Sequence, residues 1–139
     1  MNIQKIEEQL IECEGEKLDP YLCPSGKLTI GVGHNLDANG ITREMSRFIL
    51  KCDIQECVDD LLRVFPGQFD LFPEDIQHVL INMRFHLGHT GFRGFKKMIT
   101  AFRRQDLKKA AEEMKDSVWY RKFPLRAGKL AKIVEGFIQ

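Results

Sequence analysis

The sequence lacks any long apolar run. No stretch approaches the roughly 18 consecutive apolar residues that a membrane-spanning helix needs, and we expect no membrane span. The first residues, Met1 to Glu16, alternate apolar and acidic positions and lack the basic start and apolar core of a secretory signal. We therefore expect a chain that is made in a cytoplasm.

The cysteines lack the spacing of a metal or redox site. The chain has four, with no CxxC pair and no two near a pair of histidines. No phosphate-binding loop is found either. We expect free thiols, no metal and no cofactor, and the four positions are Cys13, Cys23, Cys52 and Cys57.

The sequence also lacks a net charge of either sign, since the total is only +1. The charges are nevertheless distributed unevenly, because residues 93–132 hold 13 Lys or Arg and 4 Asp or Glu. A basic second half favours a polyanionic partner, such as wall polymers, nucleic acid or anionic lipid. A solvated helical surface with no partner explains it equally well.

What the sequence does contain is helical periodicity over most of its length. Asn2 and Gly15 are typical of the start and end of a first helix, and Thr42 of the start of a long one that runs to Pro66-Gly67. Further helices are predicted from Pro73 to Gly88, over 92–102, from near Asp106, and over about 125–137. Only the Pro- and Gly-rich stretch 18–36 predicts strands. The expected fold is α+β and predominantly helical.

Four chemically capable side chains fall within this strand region or at its edge: Glu14, Cys23, Thr29 and His34. Turn-rich segments present side chains to a cleft more readily than to a core. Three of the four residues also have a plain structural explanation. A Glu at a helix end is usually a solvated charge, Thr29 suits strand packing, and His34 is better explained as a brace within the fold than as a proton carrier.

The order and spacing of these residues resemble the active-site signature of the phage-type lysozymes, glycoside hydrolase family 24. The family has Glu before Gly, an Asp nine positions later, and a Thr six further on within T-x-G-x-G-H. Glu14-Gly15, Cys23 and Thr29 to His34 keep these intervals. Collinear matches continue through Gly40-Ile41-Thr42, 80–95, Trp119-Tyr120 and Arg126-Ala127. One position departs, because Cys23 stands where the family has Asp.

The resemblance implies a lysozyme that hydrolyses the β-1,4 bond between N-acetylmuramic acid and N-acetylglucosamine in bacterial peptidoglycan. It implies Glu14 as general acid, Thr29 as the residue that positions water, and Arg126 as a supporting partner of Glu14. Cys23 then replaces the carboxylate as a base or a nucleophile, or acts as a redox gate. The implied substrate-binding residues are Gly33, His34, Leu36, Phe85 and His86.

The resemblance also implies a two-lobe architecture within a single domain, 1–139. The N-terminal lobe is expected over about 13–60, and the C-terminal helical lobe over about 61–139 plus helix 2–12. We expect a monomeric endolysin that binds peptidoglycan and no nucleic acid, and that stays in the host cytoplasm until a holin-type pore releases it to the wall.

Two other functions remain open from the sequence. Loss of the family Asp would also suit a catalytically weak or inactive peptidoglycan-binding homologue. Cys23 and His34 could form a cysteine peptidase or amidase dyad, but Cys23 precedes Pro24 in a turn rather than opening a helix. That position disfavours the dyad.

Overall fold

A computed structural model describes residues 1–139, and the chain divides into two compact units, Met1–Ile49 and Leu50–Gln139. We call them unit 1 and unit 2. The fold is predominantly helical with one small antiparallel sheet, which confirms the predicted class. No helix is both long and apolar enough to cross a membrane. The predicted grouping of helix 2–12 with the C-terminal lobe stays a prediction.

Unit 1 begins with helix α1 (Ile3–Glu14). The Asn2 side chain accepts from the Lys5 amide at 3.1 Å, and Gly15 ends the helix at φ +72° with its amide bonded to Ile11 O. A residue with a Cβ is strained at that φ, so Gly15 suits the exit from the helix. Both predicted ends are confirmed, and Glu14 is the last helical residue.

The sheet of unit 1 has three antiparallel strands in the order β1 (Lys17–Leu22), β2 (Leu28–Gly31) and β3 (His34–Asn35). β1 and β2 are joined by a tight turn in which the Gly26 amide donates to Cys23 O at 2.8 Å. Thr29, in the central strand, faces Tyr21 on one side and Asn35 on the other. Helix α2 (Leu36–Asn39) follows directly and was not predicted.

Helix α3 (Arg43–Val64) begins in unit 1 and ends in unit 2. The Thr42 hydroxyl accepts from the Met45 amide at 3.2 Å, which confirms the predicted cap. The helix ends at Val64, three residues before Gly67, whose φ of +67° is not helical.

Unit 2 holds a short 3-10 helix (Phe69–Leu71) and five further helices: α4 (Glu74–Arg93), α5 (Lys96–Arg103), α6 (Leu107–Lys115), α7 (Val118–Lys122) and α8 (Pro124–Glu135). Gly88, at φ +76°, interrupts α4 as the sequence predicted, but the chain then resumes a helical course to Arg93. The predicted continuous helix over 92–102 is wrong, because Gly94 separates Phe92 from α5. Helix α7 was not predicted, since five residues are too few to show a period.

The core of unit 2 is a continuous cluster of buried apolar side chains from α3 to α8. Three phenylalanines, Phe65, Phe72 and Phe102, meet edge to face with ring centroids 5.4 to 6.3 Å apart. Such aromatic contacts add to the stabilisation that burial alone supplies. Trp119 is also part of this cluster.

A buried carboxylate lies beside this core. Asp60 accepts from Arg84 Nε at 2.5 Å and from both terminal nitrogens of Arg93 at 2.6 and 2.7 Å. The Arg93 guanidinium holds the pKa of Asp60 far below its usual range, and Arg84 adds to this against the opposing effect of burial. The three residues form an ion cluster that the sequence did not predict.

Candidate active site

The Glu14 carboxylate lies against the backbone of Gly33. A Cβ built on Gly33 would lie 3.1 Å from Glu14 Oε2, which is tighter than ordinary contact. Gly33 also has φ +62°, a conformation that favours glycine. Two predicted site residues from α1 and from the turn before β3 are therefore neighbours, and glycine at position 33 leaves room for the carboxylate.

Cys23 begins the turn between β1 and β2, where polar groups surround its sulfur. Sγ lies 3.0 Å from the Ser25 hydroxyl. This hydrogen bond, assisted by the Lys27 and Ser25 backbone, lowers the pKa of Cys23 to about 7, although partial burial opposes it. The thiol is thus substantially ionised at neutral pH. The sequence left open how such ionisation would arise, and hydrogen-bond donors rather than a cation provide it.

Thr29 is buried, with 3% of its surface exposed, and its hydroxyl donates to Lys27 O at 2.8 Å. This bond fixes the side-chain rotamer. A hydroxyl that donates to the protein keeps its lone pairs available to accept from another group. Thr29 can therefore accept a hydrogen bond from a water.

His34 braces the segment that follows the sheet. Its Nε2 lies 2.5 Å from Gly40 O, and a carbonyl only accepts, so Nε2 carries the proton. Leu36, a predicted substrate-binding residue, is the first residue of α2, which Asn35 caps through the Ala38 amide. The Asp37 carboxylate accepts from the Leu28 amide at 2.7 Å and so ties α2 to β2. These bonds support the bracing interpretation of His34.

The remaining predicted site residues belong to unit 2. Phe85 is 44% exposed, and with Arg126 it lines a groove of about 390 Å³. Arg126 Nε donates to Asn82 Oδ1 at 2.8 Å, so the guanidinium is held on α4. The predicted pairing of Arg126 with Glu14 stays a prediction.

His86 has a fixed orientation. Trp119 Nε1 can only donate, so His86 Nδ1 accepts this bond at 3.0 Å and the imidazole proton is on Nε2. Burial, followed by the charge of Arg126, lowers the pKa of His86. The ring also meets Phe123 edge to face at 4.6 Å. A neutral imidazole with one fixed N–H is suited to donating to a polar ligand.

Sequence reasoning missed the residues that set these properties. Ser25 was not singled out within the stretch 18–36, although its place two residues after Cys23 was a usable signal, because short hydroxyl side chains bond to near neighbours in turns. Asn82 was used only as part of a motif, and the Trp119 contact joins residues 33 positions apart. No local pattern reveals a pairing at that distance.

Comparison with known proteins identifies the family of the chain. The family model described as "Phage lysozyme" matches residues 11–136, nearly the whole chain. A curated relative, Probable T4-type lysozyme 1 of Dictyostelium discoideum, is 23% identical over 166 aligned positions, which cover 96% of this chain and 95% of the relative.

Proposed function

Because the chain belongs to the phage lysozyme family and is a peptidoglycan-hydrolysing glycoside hydrolase, we propose that Glu14 and Cys23 act as its acid and base. The bond cut in this proposal is the β-1,4 link from N-acetylmuramic acid to N-acetylglucosamine. The observation that supports it most directly is the contact of the Glu14 carboxylate with Gly33 of the T-x-G-x-G-H segment. This contact joins the Glu14 carboxylate to the glycine-rich turn, which are two separate parts of the family's active-site signature.

In the proposed reaction the Glu14 carboxyl donates its proton to the glycosidic oxygen as the bond from that oxygen to the sugar C1 breaks. A water adds to C1 from the opposite face and its proton passes to the Cys23 thiolate, so that one water is consumed and the anomeric configuration inverts. Thr29 accepts a hydrogen bond from this water. Solvent then takes the proton from Cys23 and returns one to Glu14.

The thiolate suits this role because its pKa of about 7 keeps an ionised fraction at neutral pH. A thiol at the ordinary cysteine value would be mostly neutral there and would be a poor substitute for a carboxylate. The weak or inactive wall-binding homologue is thereby disfavoured. The amidase dyad is disfavoured too, because His34 Nε2 is engaged by Gly40 O.

Substrate contacts are proposed separately within each unit. His86 Nε2–H would donate to a sugar hydroxyl or acetamido oxygen, and the exposed Phe85 ring would pack on a sugar face. Gly33, His34 and Leu36 would border the sugar next to Glu14. The monomeric state, the single-domain grouping and holin-dependent release from the host cytoplasm stay predictions.

The deciding experiment follows hydrolysis of purified peptidoglycan by release of reducing ends, with the anomer of the first product read by NMR. We expect Cys23→Ala to lose at least about 100-fold in kcat/KM, as removal of a general base does, while Cys23→Asp keeps or raises the parent rate. Cys52→Ala, at an exposed cysteine of α3, is the matched control.

Three outcomes would contradict the proposal. Parent-like hydrolysis by Cys23→Ala would remove the thiol from the mechanism. A folded but inert Cys23→Asp would exclude the water-activating scheme. A retained anomer would replace direct water attack by a covalent sugar adduct on sulfur.

A further inference from the structure

Unit 2 carries a cleft lined by cationic side chains, which the proposed reaction does not use. Arg63, Arg93, Lys96 and Arg103, from α3, α4 and α5, line a cavity of about 310 Å³. A second cavity of about 290 Å³ shares Lys96 and Thr100 with the first and adds further cations, Lys97, Arg104 and Lys109. We call the two together the α5 cleft.

Only two of these cations form ion pairs, Arg93 with Asp60 and Lys109 with Glu113, and neither acid lines the cleft. No acidic residue lines the first cavity, and Asp106 is the one acid that lines the second. The Asp106 carboxylate is engaged at the start of α6, where it accepts from the Lys109 amide at 3.0 Å. Arg63, Lys96 and Lys97 form no ion pair at all. The cleft therefore presents a positive potential to an incoming anion.

Two of the guanidiniums are fixed in advance of any ligand. Asp60 holds Arg93 through both terminal nitrogens. Arg103 donates from Nε and Nη2 to Val64 O at 3.2 and 2.7 Å, which leaves Nη1 free. Fixed donors lose less conformational entropy on binding than solvated lysines do. This distinguishes the α5 cleft from an ordinary solvated helical surface.

The lining of the cleft also indicates the kind of anion. No aromatic side chain lines either cavity, so bases of a nucleic acid would find no stacking surface. The apolar lining residues, Val64, Ile99 and Ala101, are buried and offer nothing to insert among lipid chains. A flexible chain of phosphodiesters without bases or acyl tails fits these constraints best.

We propose that the α5 cleft binds the phosphate groups of polyol-phosphate wall polymers of the teichoic acid class. Such polymers are attached to the peptidoglycan that this family hydrolyses, so binding them would hold the enzyme at its substrate. The proposal depends on the family but not on the roles of Glu14 and Cys23. Polymer binding tests the cleft proposal, and hydrolysis of glycan tests the roles of Glu14 and Cys23, so that a failure of one is distinguished from a failure of the other.

The test measures binding of a fluorescently labelled, delipidated poly(glycerol phosphate) chain by anisotropy, from about 0.05 to about 0.3 M salt. The test variant combines Arg63→Gln with Lys96→Gln. The matched control combines Arg121→Gln with Lys122→Gln, an Arg and a Lys of α7 that line neither cavity. None of these four side chains makes a hydrogen bond or ion pair within the protein, so both variants should fold.

We expect the test variant to lose at least about tenfold in affinity at the lowest salt, and its slope of log K against log salt to fall by about 2. The control should stay within about twofold of the parent. Equal losses in both variants, or no loss in either, would overturn the cleft as the binding site. Tighter binding of duplex DNA with the same number of phosphates, or of phosphatidylglycerol vesicles, would overturn the partner class. Parallel hydrolysis of polymer-free glycan at the parent rate by both variants would show that the catalytic proposal is unaffected.

Discussion

The proposed catalytic groups lie in unit 1, whereas the buried core that stabilises the fold lies in unit 2. In unit 1 the one buried residue is Thr29, and the proposed catalytic groups lie at a helix end and in a turn. Unit 2 contains the continuous apolar core and the buried Asp60 cluster. Partly exposed polar turns can hold reactive groups beside water and substrate, whereas buried helices supply most of the folding free energy. Substitutions in the two units should therefore affect different measurements.

The largest expected effect is that of Glu14→Gln in unit 1. An amide cannot donate the proton of a carboxylic acid, so the rate of peptidoglycan hydrolysis should fall by about 100- to 10,000-fold. Thermal unfolding should be nearly unchanged. Glu12→Gln, at an exposed acid one half-turn earlier in α1, is the control. A Glu14→Gln enzyme with parent activity would mean that another group is the acid.

Asp60→Asn in unit 2 should have the opposite effect, lowering stability rather than the rate of hydrolysis. It removes the short ion pairs of the buried Arg84 and the half-buried Arg93, and the expected cost is about 3 kcal/mol in the free energy of unfolding. Denaturant titration measures it. The neighbouring exposed Asp59→Asn should cost less than about 0.5 kcal/mol. If Asp60→Asn cost no more than Asp59→Asn, the ion cluster would not stabilise unit 2.

The same carboxylate predicts how stability depends on pH. The folded-state pKa of Asp60 is lowered, so its contribution is present above the unfolded value near 3.9 and is lost as pH falls through the folded value. The parent should therefore lose stability in acid more steeply than Asp60→Asn does. Denaturant titrations of the two proteins between neutral pH and strong acid give this difference.

Gly33→Ala tests whether hydrolysis depends on the close approach of the Glu14 carboxylate to residue 33. The new methyl would meet Glu14 Oε2 at 3.1 Å and adopt a strained φ, so hydrolysis should fall about tenfold with about 1 kcal/mol of destabilisation. Gly67→Ala in unit 2 has a similar φ, of +67°, but nothing within 4 Å of the new methyl. It should share the destabilisation and keep the activity. If Gly33→Ala and Gly67→Ala lost activity equally, backbone strain rather than contact with Glu14 would explain the loss.

The smallest expected effect is that of Ser25→Ala on the Cys23 thiol. Removing the strongest hydrogen bond to Sγ should raise the pKa of Cys23 from about 7 toward the value of 9.0 for a free thiol. The thiolate fraction at pH 7, and with it the hydrolysis rate, should fall a few-fold. The pH dependence of Cys23 alkylation, read at the peptide level by mass spectrometry, gives the pKa directly. Ser46→Ala in α3 is the control, and an unchanged midpoint in Ser25→Ala would assign the shift to other donors.

The sequence alone determined the elements whose causes are local. Asn2, Gly15, Thr42 and Asp106 mark helix ends because a cap or a positive φ involves only the nearest few residues. The strand region and the intervals between Glu14, Cys23 and Thr29 were readable for the same reason. Short helices such as α7 and the break at Gly94 were not, because a few residues give too little periodicity.

Only the tertiary structure decided properties that depend on distant partners. The proton position of His86 follows from Trp119, and the depressed pKa of Asp60 from Arg84 and Arg93, 24 and 33 residues away. The contact of Glu14 with Gly33 and the cationic lining of the α5 cleft likewise join separate elements. Hydrogen bonding and electrostatic interaction act through space rather than along the chain, so the sequence identified the groups and folding fixed their chemical state.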